Sequence, residues 1–221
     1  LTTKTHWQRL SHPVLTRYQV QLWICSVDTA IPQVSGNKCL KLKYALAEVF
    51  SQQKSGVFTF GGAFSNHLSA VAASCKLLGL QSVAYVRSDT LDLNNPTLAF
   101  CAAQGMQLKA LDRSHYRQRH DAHFIQQLQQ QHPQLLSIPE GGTSAGGAKG
   151  VAELELATTP EGAADLIVCA SASGGTLAGI INRHTTPVLG IAVVKDSTLP
   201  VKIKQLLLPQ SSTRFWQLST D

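Results

Sequence analysis

At 221 residues the chain is long enough to bury one large core or two small ones. Hydrophobic residues make up 43% and charged residues 14%, which excludes a disordered chain and a coiled coil. The net charge of +6 comes in broken clusters without interleaved aromatics, at Lys38, Lys41 and Lys43 and at Arg113, Arg117 and Arg119. That favours solvated faces and anionic small ligands over nucleic acid.

In chain order, the first short apolar runs predict strands over residues 20–24, 57–60, 82–86 and 107–110. Further strands are expected over 135–138, 166–169 and 188–193. Helical stretches fall between them, over 39–52, 66–78, 96–104 and 116–131, then over 147–157, 175–182 and 200–207. Strand and helix alternating at this pitch predict an α/β fold with mainly parallel sheets covered by helices on both faces. The near-continuous apolar strands agree, since strands buried on both faces lose the polar alternation. The glutamine- and histidine-rich helix over 116–131 keeps one apolar stripe, Phe124, Ile125 and Leu128, and reads as a surface helix.

Ligands of open α/β sheets sit beyond the carboxyl ends of the strands, so the loops there carry the information. Four loops are built of glycine and small polar residues, and each opens a predicted helix: Ser35-Gly36-Asn37-Lys38, Gly61 to His67, Glu140 to Ser144, and Ser171 to Thr176. In the last, glycines admit a ligand close to the backbone, and the free N–H groups of a helix start attract negative charge. That is a phosphate site, or else a capped turn. Neither GxGxxG nor GxxxxGK[ST] occurs, so the phosphate belongs to no P-loop nucleotide. Lys38 stands at a helix start, where a cation is disfavoured. Partly desolvated there, it would have the lowered pKa that an amine nucleophile needs. Lys41 and Lys43 read as solubilising. A lysine, a phosphate cradle and neutral polar loops together match pyridoxal 5′-phosphate, whose aldehyde condenses with an amine.

Ser35-Gly36-Asn37-Lys38 with Lys41-Leu42, then Gly61-Gly62-Ala63-Phe64-Ser65-Asn66-His67, resembles the 1-aminocyclopropane-1-carboxylate deaminase/D-cysteine desulfhydrase family. That family belongs to the fold type II, or tryptophan-synthase-β-like, pyridoxal-phosphate enzymes. The resemblance continues through Asn95-Pro96-Thr97-Leu98, Ile138-Pro139-Glu140-Gly141-Gly142 and Ser173-Gly174-Gly175-Thr176, covering roughly residues 12 to 195. It implies that Lys38 is the Schiff-base lysine and shuttles the substrate's α-proton. It implies that Asn66 bonds the cofactor's 3′ oxygen, and that Ser173, Gly174, Gly175 and Thr176 cradle its phosphate. Ser65, with the backbone at Asn66 and His67, would hold the substrate carboxylate or assist attack. The implied reaction releases ammonia and a 2-oxo acid from a small amino acid of the D-cysteine or 1-aminocyclopropane-1-carboxylate type. Two lobes are expected, a smaller one over 39–140 and a larger one from 1–38 and 141–221, with the cofactor between them. A homodimer is an expectation of the family alone.

Three departures stand beside the resemblance. Cys25-Ser26-Val27-Asp28 replaces a basic-acidic cluster, and Cys39-Leu40 replaces an aromatic and a basic residue after the lysine. The family also extends further at its C-terminal end, so a missing C-terminal segment and an inactive, cofactor-binding member form the alternative reading. Leu1 is no start methionine and 217–221 reads as a polar tail, so either end is compatible with a cut. A second alternative is an α/β-hydrolase, since Gly142-Thr143-Ser144-Ala145-Gly146 fits GxSxG with Asp165 and His184 following. His120 and His123 lack the further ligands a metal needs, so no metal is expected. Five cysteines without a CxxC pair, no signal segment and no long apolar run predict reduced thiols in a cytoplasmic protein that does not touch membranes.

Overall fold

A computed structural model describes residues 3–29, 31–34 and 36–220. The chain opens on an antiparallel hairpin of β1 (Thr3–Leu10) and β2 (Leu22–Thr29), joined through the short helix α1 (Pro13–Arg17). The strand expected over 20–24 thus begins later and runs five residues further. Along β2, half-buried Trp23, Cys25 and Val27 alternate with exposed Ile24, Ser26 and Asp28. A one-sided strand of period two has no continuous apolar run to mark its far half in the sequence.

Next come α2 (Asn37–Ser51), β3 (Gly56–Gly62), α3 (Asn66–Leu78), β4 (Gln81–Arg87) and α4 (Pro96–Ala103). β5 (Gln107–Leu111), α5 (Arg113–Arg117), α6 (Ala122–Gln131) and β6 (Leu135–Ile138) follow. They form a parallel four-stranded sheet in the order β5-β4-β3-β6. Its centre is covered on both faces. Val57 joins a core with Leu68, Val71 and Leu98, whereas Phe58 and Phe60 join Tyr85, Tyr116 and Phe124 on the other side. Phe58 meets both Phe60 and Tyr85 edge to face at 6.3 Å, a geometry that aromatic quadrupoles favour. The single helix expected over 116–131 is two helices. Asp121 caps α6 by accepting the Phe124 N–H at 2.9 Å, and the chain turns before it.

The remainder comprises α7 (Ala145–Val151), the two-residue strands β7 (Thr158–Thr159) and β8 (Gly162–Ala163), and β9 (Ile167–Ser171). Then follow α8 (Gly175–Arg183), β10 (Val188–Ala192), α9 (Leu199–Gln205) and β11 (Trp216–Ser219). A parallel three-stranded sheet runs β11-β10-β9, and Leu177, Ile180 and Ile181 of α8 pack with Val188, Leu199 and Ile203 above it. β11 occupies most of the stretch read as a polar tail. Trp216 and Leu218 pack on the core, and pairing with β10 supplies what the composition does not show. The helix expected over 147–157 ends at Val151. Two-sided burial holds for β3 and β4 but not for β9, where Val168 is half exposed.

α2 connects the two sheets. Its Cys39 and Leu40 belong to the core of the three-stranded sheet, and its Leu42, Leu46 and Val49 to that of the four-stranded one. A division at residue 38 therefore falls inside the first turn of this helix. Among the described residues, no helix is long and apolar enough to cross a membrane. All five cysteines are free thiols, with Cys39, Cys75 and Cys101 buried.

Candidate active site

The loops singled out above open α2, α3 and α8, and an open cleft of about 550 Å³ lies where α2 and α3 begin. Asn37, Lys38 and Asn66 line it, together with Ser69, Thr97 and Phe100. Ser35, the first residue of the lysine loop, lies outside the described residues. Lys38 is the second residue of α2 and donates from Nζ to Asn37 Oδ1 at 2.8 Å. Burial holds its pKa below the ordinary lysine value, because a desolvated ammonium is penalised relative to the neutral amine.

The cradle forms at the start of α8. Gly174 sits in the left-handed region at φ +81°, and an added Cβ there would meet Ile203 Cγ1 at 2.8 Å. That position requires glycine. Ser173 Oγ accepts from Thr143 Oγ1 at 2.6 Å and from Lys41 Nζ at 3.4 Å, and Lys41 Nζ also donates to Thr143 Oγ1 at 3.0 Å. Having accepted twice, the Ser173 hydroxyl keeps its own proton to donate. Thr176 Oγ1 accepts from Asn37 Nδ2 at 2.8 Å and is likewise left a donor.

Lys41, read as a solubilising lysine, is only 1% exposed. Its pKa is lowered to about 7, first by burial and then by the charge of Lys38, and its amine meets neutral hydroxyls where a carboxylate would be expected. One signal could have found it: at i+3 from Lys38 on a helix, its side chain shares Lys38's face. Gly175 leaves room for it, since a Cβ there would stand 3.0 Å from Lys41 Nζ and 3.3 Å from Thr143 Cγ2. Gly175→Ala is accordingly expected to fold but to push the amine out of the cradle. Calorimetric titration with inorganic phosphate should then read about tenfold weaker binding, the loss of one charge-assisted hydrogen bond.

The loop before α3 divides its roles. Ser65 is the N-cap, its Oγ accepting the Leu68 N–H at 3.4 Å, and Asn66 faces the cleft. The His67 side chain points into the interior and is 2% exposed. Thr59 Oγ1 donates its one proton to the Ile138 carbonyl at 2.8 Å, so it accepts from His67 Nε2–H, also at 2.8 Å. His67 is therefore the neutral Nε2–H tautomer, and its buried Nδ1 has no hydrogen-bond partner. Burial above all, then Lys38 and Lys41, lowers its pKa to about 3. Only the backbone of His67 is left to meet a ligand.

The hydrolase elements do not assemble. Ser144 Oγ caps α7 by accepting the Gly147 N–H at 3.0 Å. His184 is buried with Nδ1 3.7 Å from Glu155 and no partner on Nε2. Among the described residues, no group of three metal-binding side chains comes together.

A buried ammonium beside a helix start, surrounded by hydroxyl donors and lacking a carboxylate, fits a phosphate monoester. A second, desolvated amine at the adjoining cleft fits an aldehyde. Two parallel sheets joined at such a site define the class of protein that holds a phosphorylated, amine-reactive cofactor.

Residues 11–195 match the family described as pyridoxal-phosphate dependent enzyme, and the chain belongs to that family. It is 32% identical over 204 residues to a Thermotoga maritima protein named "Putative 1-aminocyclopropane-1-carboxylate deaminase", covering 86% of this chain and 65% of that one. It is 30% identical to a D-cysteine desulfhydrase of Klebsiella pneumoniae, covering 72% of this chain and 52% of that one. The chain thus spans between half and two thirds of the length of these relatives. A crystal structure described as an ACC deaminase homologue superposes with a TM-score of 0.73 at 23% identity, over 99% of this chain and 69% of that one. Family, fold type II architecture and pyridoxal-phosphate dependence, all implied by the loops, are borne out.

Proposed function

We propose that this chain carries the cofactor site of an enzyme that removes ammonia from a small amino acid, of the D-cysteine or 1-aminocyclopropane-1-carboxylate type. The observation that carries the reading is the pairing of two amines of lowered pKa, Lys38 half-buried at the open cleft and Lys41 buried in the cradle. Lys38 attaches the cofactor through Nζ and, with its pKa lowered by burial, takes the proton from the substrate's α-carbon. Ser173, Gly174, Gly175 and Thr176 hold the phosphate, with Lys41 as its counter-charge. Asn66 directs its side-chain amide at the cofactor's 3′ oxygen. The start of α3, with Ser65 and the backbone N–H groups of Asn66 and His67, receives the substrate carboxylate. When bound, pyridoxal phosphate supplies an electron sink for charge developing on the α-carbon. The cleft between the lobes over 39–140 and over the rest excludes water as they approach.

Reduction of the cofactor-loaded chain with borohydride, followed by peptide mapping, is expected to place a pyridoxyl group on Lys38. Lys38→Ala should lose both this label and the visible absorption of the bound cofactor. A label on another lysine, or visible absorption that survives in Lys38→Ala, sinks the assignment. Release of pyruvate or 2-oxobutyrate with ammonia then tests the two substrates in turn.

A further inference from the structure

We propose that Asn37 is a positioning residue whose single side-chain amide ties the Lys38 amine to the phosphate cradle, so that the two ends of the site are set together. The proposal rests on Lys38 being the cofactor lysine. Asn37 is the first residue of α2 and lines the cleft. Its Oδ1 accepts from Lys38 Nζ at 2.8 Å, and its Nδ2 donates to Thr176 Oγ1 at 2.8 Å, from a residue 139 positions away.

The direction of the amide is fixed by what stands at each end. A lysine ammonium has donors alone, so the oxygen of Asn37 must face it, and the NH2 group must then face Thr176. Reversing the amide would set donor against donor at Lys38. Because Thr176 accepts from Asn37, its hydroxyl proton is left for an oxyanion in the cradle. One carboxamide therefore aims the amine and sets Thr176 as a donor to phosphate, without touching the phosphate itself. Such chains of hydrogen bonds polarise one another, which couples the two ends.

The charged and titratable groups around Lys38 make a neutral partner significant. Lys41 lies one turn along α2, and neutral His67 faces it from α3. Cys39 is turned to the Gly36 carbonyl, with Sγ at 2.9 Å, and Cys169 on β9 acts on Lys41. Burial accounts for the lowered pKa of Lys38, with no carboxylate acting on it. A carboxamide orients the amine and leaves it free to lose its proton, whereas a carboxylate in the same place would hold the proton on.

The test compares wild type with Asn37→Asp, Asn37→Ala and Thr176→Val, each shown to be folded by circular dichroism. Two quantities are read: the pH midpoint for trapping pyridoxal on Lys38 with cyanoborohydride, and the affinity for inorganic phosphate by calorimetry. Asn37→Asp should raise the midpoint by about one pH unit or more, as an adjacent opposite charge does. Asn37→Ala should weaken phosphate binding by about as much as Thr176→Val does, and the double variant should be no worse than either single change. An unmoved midpoint in Asn37→Asp overturns the proposal, and so does wild-type phosphate affinity in Asn37→Ala. Wild type that takes no label on Lys38 sinks the cofactor reading itself and this proposal with it. A labelled wild type with unmoved variants sinks this proposal alone.

Discussion

Lys41→Met is expected to raise the melting temperature of the cofactor-free chain and, in the same molecule, to weaken its stabilisation by inorganic phosphate. Lys41 is 1% exposed with a pKa lowered from 10.5 to about 7. Between about pH 7 and 10.5 the unfolded chain holds a proton on this amine that the folded chain has lost. Stability contributed at this site therefore rises with pH across that window, and the penalty is fully present below pH 7. At pH 8 it amounts to about 3 kcal/mol, and methionine of similar length removes it while filling the space. Thr143 and Ser173 still bond each other at 2.6 Å, so the change orphans neither hydroxyl. A gain of that size corresponds to several degrees in melting temperature. Phosphate reverses the sign of the local electrostatics, because the dianion stabilises the ammonium form. Its binding above pH 7 must then take up a proton, and its affinity must fall as pH rises. Scanning calorimetry at pH 7 and pH 9, with and without phosphate, checks all of this. A variant that melts below wild type without phosphate, or that keeps the wild-type phosphate effect undiminished, would refute the role assigned to Lys41.

The contrast between Lys38 and Lys41 shows which parts of the site a single sequence exposes. Lys38 is conspicuous because a cation at a helix start works against the helix dipole, which calls for an explanation. Lys41 sits past the first turn of α2, where lysine is common and normally solvated. Its environment comes from Thr143 and Ser173, over a hundred residues away in the chain, and no local pattern reports it. His67 shows the reverse case. Its place in the loop marked it for the site, but its partner Thr59 lies eight residues back on β3, and that contact draws the ring into the core. The strands divide in the same way. β3 and β4 are written as apolar runs because both of their faces are covered. β1 and β11 carry only two apolar side chains each and exist through pairing with β2 and β10. Local pattern thus specifies elements that bury themselves, and it misses those that depend on a neighbour.

The buried imidazole yields the other large effect. His67→Gln should flatten the loss of stability on mild acidification that wild type shows. The folded-state pKa of about 3 lies far below the ordinary histidine value of 6.5, with burial as the main cause and the charges of Lys38 and Lys41 adding to it. Over that window the unfolded chain binds a proton that the folded chain refuses, so stability falls as pH drops from 6.5 toward 3. From pH 6.5 to 5 the share of this one residue is about 2 kcal/mol. His120, His132 and His184 also have lowered values and act in the same direction, so the wild-type curve is a sum. The difference between wild type and variant isolates His67, because the other three remain in both. Glutamine offers an N–H to Thr59 Oγ1 and carries no titrating group, so hydrogen bonding is kept while the pH term is removed. Lys41 titrates in a separate window above pH 7 and leaves this difference untouched. Urea unfolding at pH 6.5 and pH 5 measures it. If the two proteins lose equal stability between those pH values, the neutral buried tautomer deduced from Thr59 and Ile138 is wrong. A smaller loss in His67→Gln means that the folded state, with His67 in the first turn of α3 bonded to Thr59, holds the ring uncharged.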